Sequence, residues 1–422
     1  MIKSITLIGA LLMSVGTIPR NAAELKSKVT GKSAEALSVT ITPSNPLIEK
    51  GLQGQYLNFD IIIKNTTRHV LTLATIESSV MDASARPIFK QSVNVGEQSG
   101  LKSIGNTTLK PGQSVDIFNP FYLLSSGAKI TFLQYEFFFD YADSPKEREN
   151  NKKRLPVDFD LSVKKIITPR IFTPRIIFNL PMAGKLIVLD GHNFYPGQSN
   201  GPMGTEQQVE KIVTSKANRY AYNLASVDEN GNMYASDPFK KENWYVFGKA
   251  VYAPSGGIVA DVQNNIPDNS YIGRNVKSPV IPPDADPYGM GNYIVIDHGN
   301  GQFSLLQHLE QGSIIVRKGE LVKGGQMIGK VGFSGNASFP HLHFALMNGK
   351  TALTAIGIPA YFGNYRLYQG KNFFTRTGDA SASATSFRPG NKSSNFCYFT
   401  VPAGKSFLTK GRIVVTNGQN PV

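Results

Sequence analysis

Pro340-His341-Leu342-His343-Phe344 is the stretch on which the reading of this chain turns. On a strand, residues i and i+2 share a face. His341 and His343 then project side by side, ~7 Å apart along the chain, while Leu342 and Phe344 enter a core. Neutral imidazole is the commonest metal ligand, so such a pair can supply two ligands, or one ligand and one acid/base group. Two surface histidines would look the same in isolation, and the flanking sequence has to decide. Upstream lie Gly291-Asn292-Tyr293-Ile294-Val295-Ile296-Asp297-His298-Gly299-Asn300-Gly301, then Gln307-His308-Leu309, then the stretch from Lys318 to Gly332 and Gly332-Phe333-Ser334-Gly335-Asn336. Further back, Gly248 to Pro254 leads to Gly256 to Val262. All of these alternate short apolar strands with tight glycine turns, glycine being the residue that takes positive φ cheaply. The spacing predicts an all-β domain over 179–368.

A second pattern precedes it. Leu57, Phe59, Ile61 and Ile63 alternate with Asn58, Asp60 and Lys64; Leu133, Tyr135, Phe137 and Phe139 repeat the period, as do Val157, Phe159, Leu161 and Val163. Strict alternation marks half-buried strands, and turn clusters such as Lys110-Pro111-Gly112-Gln113 separate them. Several short strands between turn signals predict an antiparallel sandwich over 35–165, immunoglobulin-like in general look. Ile167-Thr168-Pro169-Arg170 and Phe172-Thr173-Pro174-Arg175 predict an extended linker over 166–178. The segment 369–422, rich in Ser, Gly and Asn and with one strand from Arg412 to Thr416, is expected to be a β appendage or a loose segment. Residues 1–23 carry Lys3, an apolar run from Ile5 to Ile18 and Ala22-Ala23, the three-part pattern of a secretory signal peptide. The mature chain is therefore expected outside the cytoplasm: in the periplasm, at the cell surface or secreted.

Composition narrows the function classes. The chain has 422 residues, 41% of them hydrophobic and 10% aromatic, which is ample for packed cores and excludes a disordered tail. Its single cysteine, Cys397, excludes a disulfide scaffold and a cysteine-based zinc ribbon. No run approaches the ~20 apolar residues of a spanning helix. The formal charge of +14 is spread out, without the basic stripe and interleaved aromatics of a nucleic-acid binder; an anionic polymer or surface of the envelope is the expected partner. His-Glu-x-x-His, Gly-x-Ser-x-Gly and phosphate-loop patterns are absent.

The order and spacing of these motifs, over roughly Tyr245 to Phe344, closely resemble the lysostaphin-type zinc endopeptidases, the LytM-like peptidoglycan hydrolases. The resemblance implies a glycine-rich antiparallel β domain of the duplicated hybrid motif type, lining a groove, and an action on peptide bonds of the bacterial wall. The family holds one zinc with a His, an Asp and the second His of His-x-His. Carried over, His343 is the zinc ligand, His341 the general acid or base beside it, and His308 the group that polarises water or steadies the oxyanion. Zinc would lower the pKa of bound water toward ~7. His298 is expected to serve structure only. In the family the Asp lies in a stretch resembling Arg-Tyr-Ala-Tyr-Asp, with a His a few residues earlier. Here the stretch is Arg219-Tyr220-Ala221-Tyr222-Asn223, so Asn223 is a degenerate ligand position, and no histidine lies between Asn193 and Asp297. His192 is the upstream candidate, brought back by an inserted loop over Pro196 to Lys216; Asp190 and Asp228 are the other substitutes. Zinc is thus expected to be weakly bound or absent. Three readings remain: a non-catalytic descendant that binds peptidoglycan peptides or regulates another envelope protein such as a hydrolase, an active zinc endopeptidase with a rearranged ligand set, and a phosphohistidine carrier. Export argues against the last.

Overall fold

The computed structural model describes residues 37–94, 107–142, 159–192, 217–270, 289–363, 365–368, 398–409 and 412–416. The expected signal peptide and the insertion from Pro196 to Lys216 lie outside them. Every regular element among the described residues is a strand, apart from two single 3-10 turns, Ala217–Tyr220 and Lys241–Asn243. Among the described residues no helix is long and apolar enough to cross a membrane.

In the N-terminal unit, Asp60–Asn65 lies between Leu37–Thr42 and Ser114–Phe118, and Leu71–Met81 pairs with Phe132–Tyr141, which continues to Leu161–Ile167. These two sheets share one core. Leu57, Phe59, Ile61 and Ile63 from one side meet Leu133, Tyr135, Phe137 and Phe139 from the other, all essentially inaccessible. The period-two reading holds for this face. It fails for the opposite one, because Asn58 and Asp60 are also buried. Their face is covered by the second unit.

The connector is stitched to both units. Arg170–Ile171 pairs in parallel with Leu47–Ile48 of the first unit, and Ile177–Asn179 pairs in parallel with Tyr361–Gly363 of the second. The two prolines, which supply no backbone N–H, sit between and beside these short ladders rather than within a free linker.

The second unit is built on a ten-stranded sheet. Its order is Leu321–Val322, Gly257–Gln263, Asn292–Asp297, Phe303–Leu309, Leu342–Met347, Tyr222–Ser226, Gly184–Asp190, Ile413–Thr416, Tyr365–Tyr368 and Tyr398–Thr400. Leu342, Phe344 and Leu346 enter the main core with Leu186, Val188, Leu224, Ile294 and Leu306. Ala345 and Met347 face a smaller cluster with Val295 and Leu305 on the other side. The C-terminal segment, expected as an appendage beyond residue 368, supplies two of these strands, and Ile413–Thr416 lies inside the sheet between Gly184–Asp190 and Tyr365–Tyr368. A four-residue run, Ile413-Val414-Val415-Thr416, gives no sign in sequence of whether its place is central or peripheral.

Glycine sets the turns in two physically different ways. Gly319 has φ +87° and open space where a Cβ would stand, whereas a Cβ on Gly332 would lie 2.3 Å from the Glu310 backbone. Gly319→Ala is therefore expected to cost about 1–2 kcal/mol through its backbone conformation alone, and Gly332→Ala at least ~2 kcal/mol through a clash that no rotamer relieves. Urea unfolding midpoints of the two variants check this ordering. Equal costs would contradict it.

Candidate functional site

Three strands and one turn bring the site together. His343 lies on Leu342–Met347, with Gln307 across from it on one side and Asn223 on the other. His341 immediately precedes that strand. His308 sits on a bulge: Asn292 pairs with Leu309 and Tyr293 with Gln307, leaving His308 as the extra residue, with φ +64°. A bulge re-aims a side chain, and the left-handed conformation costs a non-glycine residue about 1–2 kcal/mol. The neighbouring turn supports it, since Gly332 N–H donates to the His308 carbonyl at 2.9 Å. The result is a cluster in which the His308 ring centroid is 4.9 Å from that of His341 and 6.0 Å from that of His343. All three are buried.

Each ring has an oxygen on its Nδ1. His308 Nδ1–H donates to the Ser334 carbonyl at 2.9 Å and His341 Nδ1–H to the Phe339 carbonyl at 2.8 Å. His343 Nδ1 is 2.8 Å from Asn223 Oδ1. The polarity of that last bond follows from its neighbour, because the Asn223 amide N–H donates to Asp190 Oδ2 at 2.7 Å. The amide oxygen therefore faces His343 as an acceptor, and Nδ1 carries the proton. Burial, and then the nearby His341, push the His343 imidazole down to about 3, so the ring is neutral and its Nε2 is a bare lone pair. Asn218 Oδ1 lies 3.2 Å from that nitrogen. Two acceptors do not bond, so the Asn218 carboxamide satisfies Nε2 only by presenting its N–H, a half-turn about its last torsion. Burial first, then His341 and His343, hold His308 well below the ordinary histidine value; burial also lowers His341.

His192 does not join this cluster. Its Nε2 meets Glu49 Oε2 at 3.2 Å, and its ring stacks on Phe407 at 3.5 Å between centroids. The expectation that it folds back beside Asn223 is corrected. The strand Gly184–Asp190 ends two residues before it, and the chain there has turned toward the N-terminal unit. Asp190 is the residue that reaches Asn223 instead. Asp228 closes its own loop by binding Asn230 and Asn232. His298 bonds the Gly256 carbonyl at 2.8 Å and Ser304, a structural arrangement, and His69 packs against Tyr141 in the N-terminal unit. Asn218 is the site residue that sequence reasoning misses. Its one signal is its place a few residues before Asn223, where the resembling family has a histidine.

The donor set does not fit a zinc held by His, Asp and His. No group of three or more His, Cys, Asp or Glu among the described residues is arranged to hold a metal ion. Asn223 is uncharged, its oxygen accepts from His343, and its amide spends the nearest carboxylate oxygen of Asp190. A carboxamide keeps the shape of a carboxylate but not the charge that offsets a dication in a desolvated site.

Residues 245–355 match the model of Peptidase family M23, and the chain carries a Peptidase family M23 domain there. Peptidoglycan DD-endopeptidase ShyA of Vibrio cholerae serotype O1 is 46% identical over 61 residues, 14% of each chain, and ShyC of the same organism 43% over 60 residues, 14% of this chain and 13% of its own. The chain thus matches about one seventh of the length of these relatives. Among solved structures, the catalytic domain of lysostaphin from Staphylococcus simulans is 25% identical, with 30% of this chain and 86% of that one covered and a TM-score of 0.20. A mutant catalytic domain of the prophage-encoded M23 protein EnpA from Enterococcus faecalis is 18% identical, covering 44% and 94%, with a TM-score of 0.24.

Five histidines, His192, His298, His308, His341 and His343, are held below their ordinary value, with burial the largest cause in each. The unfolded chain binds their protons as pH drops through ~6.5, while the folded chain resists; protons then favour unfolding, and stability falls as pH is lowered. Each histidine kept neutral contributes up to ~1.4 kcal/mol per pH unit to that slope. Denaturant unfolding from pH 7 to pH 5 is expected to show uptake of more than one proton, reduced by one in His343→Gln. A flat profile would contradict this account of the site.

Proposed function

We propose that this protein is an exported envelope component whose M23 domain receives peptidoglycan peptides in the groove at His308, His341 and His343 and binds them without cutting, either to hold the wall or to regulate a hydrolase. The observation that carries this reading is the bond from His343 Nδ1–H to Asn223 Oδ1, with Asn223 itself tied to Asp190. It leaves an uncharged carboxamide, already bonded on both sides, where the resembling family has its aspartate ligand. What remains suits recognition. His308 and His341 each keep Nδ1 as a donor to a backbone carbonyl, which leaves Nε2 as a fixed acceptor for the N–H groups of an extended peptide. The relatives' names as peptidoglycan endopeptidases support the wall as the partner. The first unit we read as an immunoglobulin-like sandwich that precedes and carries this domain, and residues 1–23 as its export signal.

Zinc binding separates this reading from an active endopeptidase with a rearranged ligand set. Purified protein dialysed against zinc is expected to hold it with less than the ~10 kcal/mol at the low end of structural zinc sites, and to leave wall fragments intact while sedimenting with insoluble peptidoglycan. Asn223→Asp alone should not bring hydrolysis, because the first histidine is still missing. Asn218→His combined with Asn223→Asp should raise zinc affinity by at least ~100-fold, the order expected for completing a three-donor site. Stoichiometric zinc in the unaltered protein, with wall cleavage abolished by His343→Ala, would overturn the binding reading in favour of the enzyme.

A further inference from the structure

The joint between the two units is polar at its centre, and its polar groups lead to the histidine cluster. Glu49, fully buried on Leu47–Gly51, accepts from Tyr220 Oη on one oxygen at 2.5 Å. On the other it accepts from Asn58 at 2.5 Å, with His192 Nε2 at 3.2 Å. Asp60, also buried, pairs with the Arg219 guanidinium, whose Nη1 is 3.4 Å from Oδ1 and whose Nη2 contacts Oδ2. Around this centre Tyr56, Tyr361 and Phe407 form a shared aromatic cluster, and Tyr361 Oη donates to the Lys50 carbonyl at 2.8 Å.

The partners of these two acids are not scattered. Arg219 and Tyr220 belong to the turn Ala217–Tyr220, which also carries Asn218 against His343 Nε2 and leads directly into the strand with Asn223. His192 follows the strand ending at Asp190. Asp190 and Asn223, which hold His343, thus lie on two strands whose outer ends, at His192 and at Tyr220, meet on one carboxylate of the other unit. A single 3-10 turn has poor internal hydrogen bonding and does not hold itself; at its exit the Ala221 N–H donates to the Asn218 carbonyl at 3.1 Å. Its geometry comes from what grips Arg219 and Tyr220.

We infer that Glu49 and Asp60 are positioning residues for the His343 site: acting through Tyr220, His192 and Arg219, they set the places of Asn218 and Asn223 and so the tautomer of His343. The N-terminal unit then takes part, through these three residues, in setting the geometry of the site. This stands apart from what the site binds, since it concerns the site's geometry in the free protein.

The test is imidazole nitrogen NMR of the full chain, with His343 signals assigned by His343→Gln. The unaltered protein should show His343 as a single tautomer protonated at Nδ1, with that proton exchanging slowly. Glu49→Gln and Asp60→Asn keep the volume and remove the charge. Each should mix the tautomers and speed exchange of the His343 ring proton by at least tenfold. Tyr220→Phe, which deletes one hydroxyl, should do the same to a lesser extent and covers the case in which an acid variant fails to fold. Ile63→Val, in the N-terminal core on the strand that also carries Asp60, is the control: it should lower the melting temperature and leave the His343 signals unchanged. Asp60→Glu, which keeps the carboxylate, should retain more of the single tautomer than Asp60→Asn. If the acid variants and Tyr220→Phe only lower the melting temperature, as Ile63→Val does, with His343 still a single slowly exchanging tautomer, the two acids are interface glue and the inference is wrong.

Discussion

A hydrogen bond 2.8 Å long, from the His343 ring to the Asn223 carboxamide, is the constraint around which the second unit makes sense. It joins two neighbouring strands at a register point, Asn223 opposite His343, so backbone pairing and side-chain pairing reinforce each other. Its direction is not optional. Asp190 takes the Asn223 N–H, which forces the oxygen toward the ring and the proton onto Nδ1. With an aspartate at the same place the ring would face a charge, and burial would act against that charge unless a cation shared it. The asparagine instead places a neutral carboxamide between the ring and the Asp190 carboxylate. The same backbone therefore holds a neutral, buried cluster of imidazoles.

The joint between the units follows a different logic. Buried acids are costly unless paired and hydrogen-bonded, and Glu49 and Asp60 draw on donors from the second unit, Tyr220, His192 and Arg219, to meet that condition. Separated, the two units would expose the aromatic cluster of Tyr56, Tyr361 and Phe407. Polar matching gives the contact its orientation and the aromatic rings give it area. The strand pairs made by the connector on either side, at Arg170–Ile171 and Ile177–Asn179, limit how far the units can shift.

Much of this is legible in the sequence, and the failures share a cause. Period two locates the N-terminal core because Leu57, Phe59, Ile61 and Ile63 meet a neighbour in the same unit. It assigns Asn58 and Asp60 to an open face because a polar residue facing another unit looks, in one dimension, like a polar residue facing water. His192 is misread for the mirror reason: a lone histidine near a motif invites a ligand role, whereas its partners, Glu49 and Phe407, are more than a hundred residues away. Strand geometry pairs His341 with His343, and the family resemblance adds His308, whose ring the structure brings within 4.9 Å and 6.0 Å of them. Asn218 escapes notice because asparagine in a turn is so often only a turn residue. The C-terminal strand is underrated because a run of four residues carries no address.

That strand has a consequence for how the chain reaches its fold. Gly184 and Thr416 meet across 232 residues of sequence, and the strands that hold the histidines come between them in the chain. Joining such distant points costs loop-closure entropy, about 5 kcal/mol on a logarithmic scaling with length, before the new ladder returns anything. Folds dominated by contacts of this range form slowly. Until Ile413–Thr416 docks, Gly184–Asp190 has an unpaired edge, and an open strand edge is a template for pairing with another chain. The sheet is thus exposed to aggregation for as long as its late strand is unplaced.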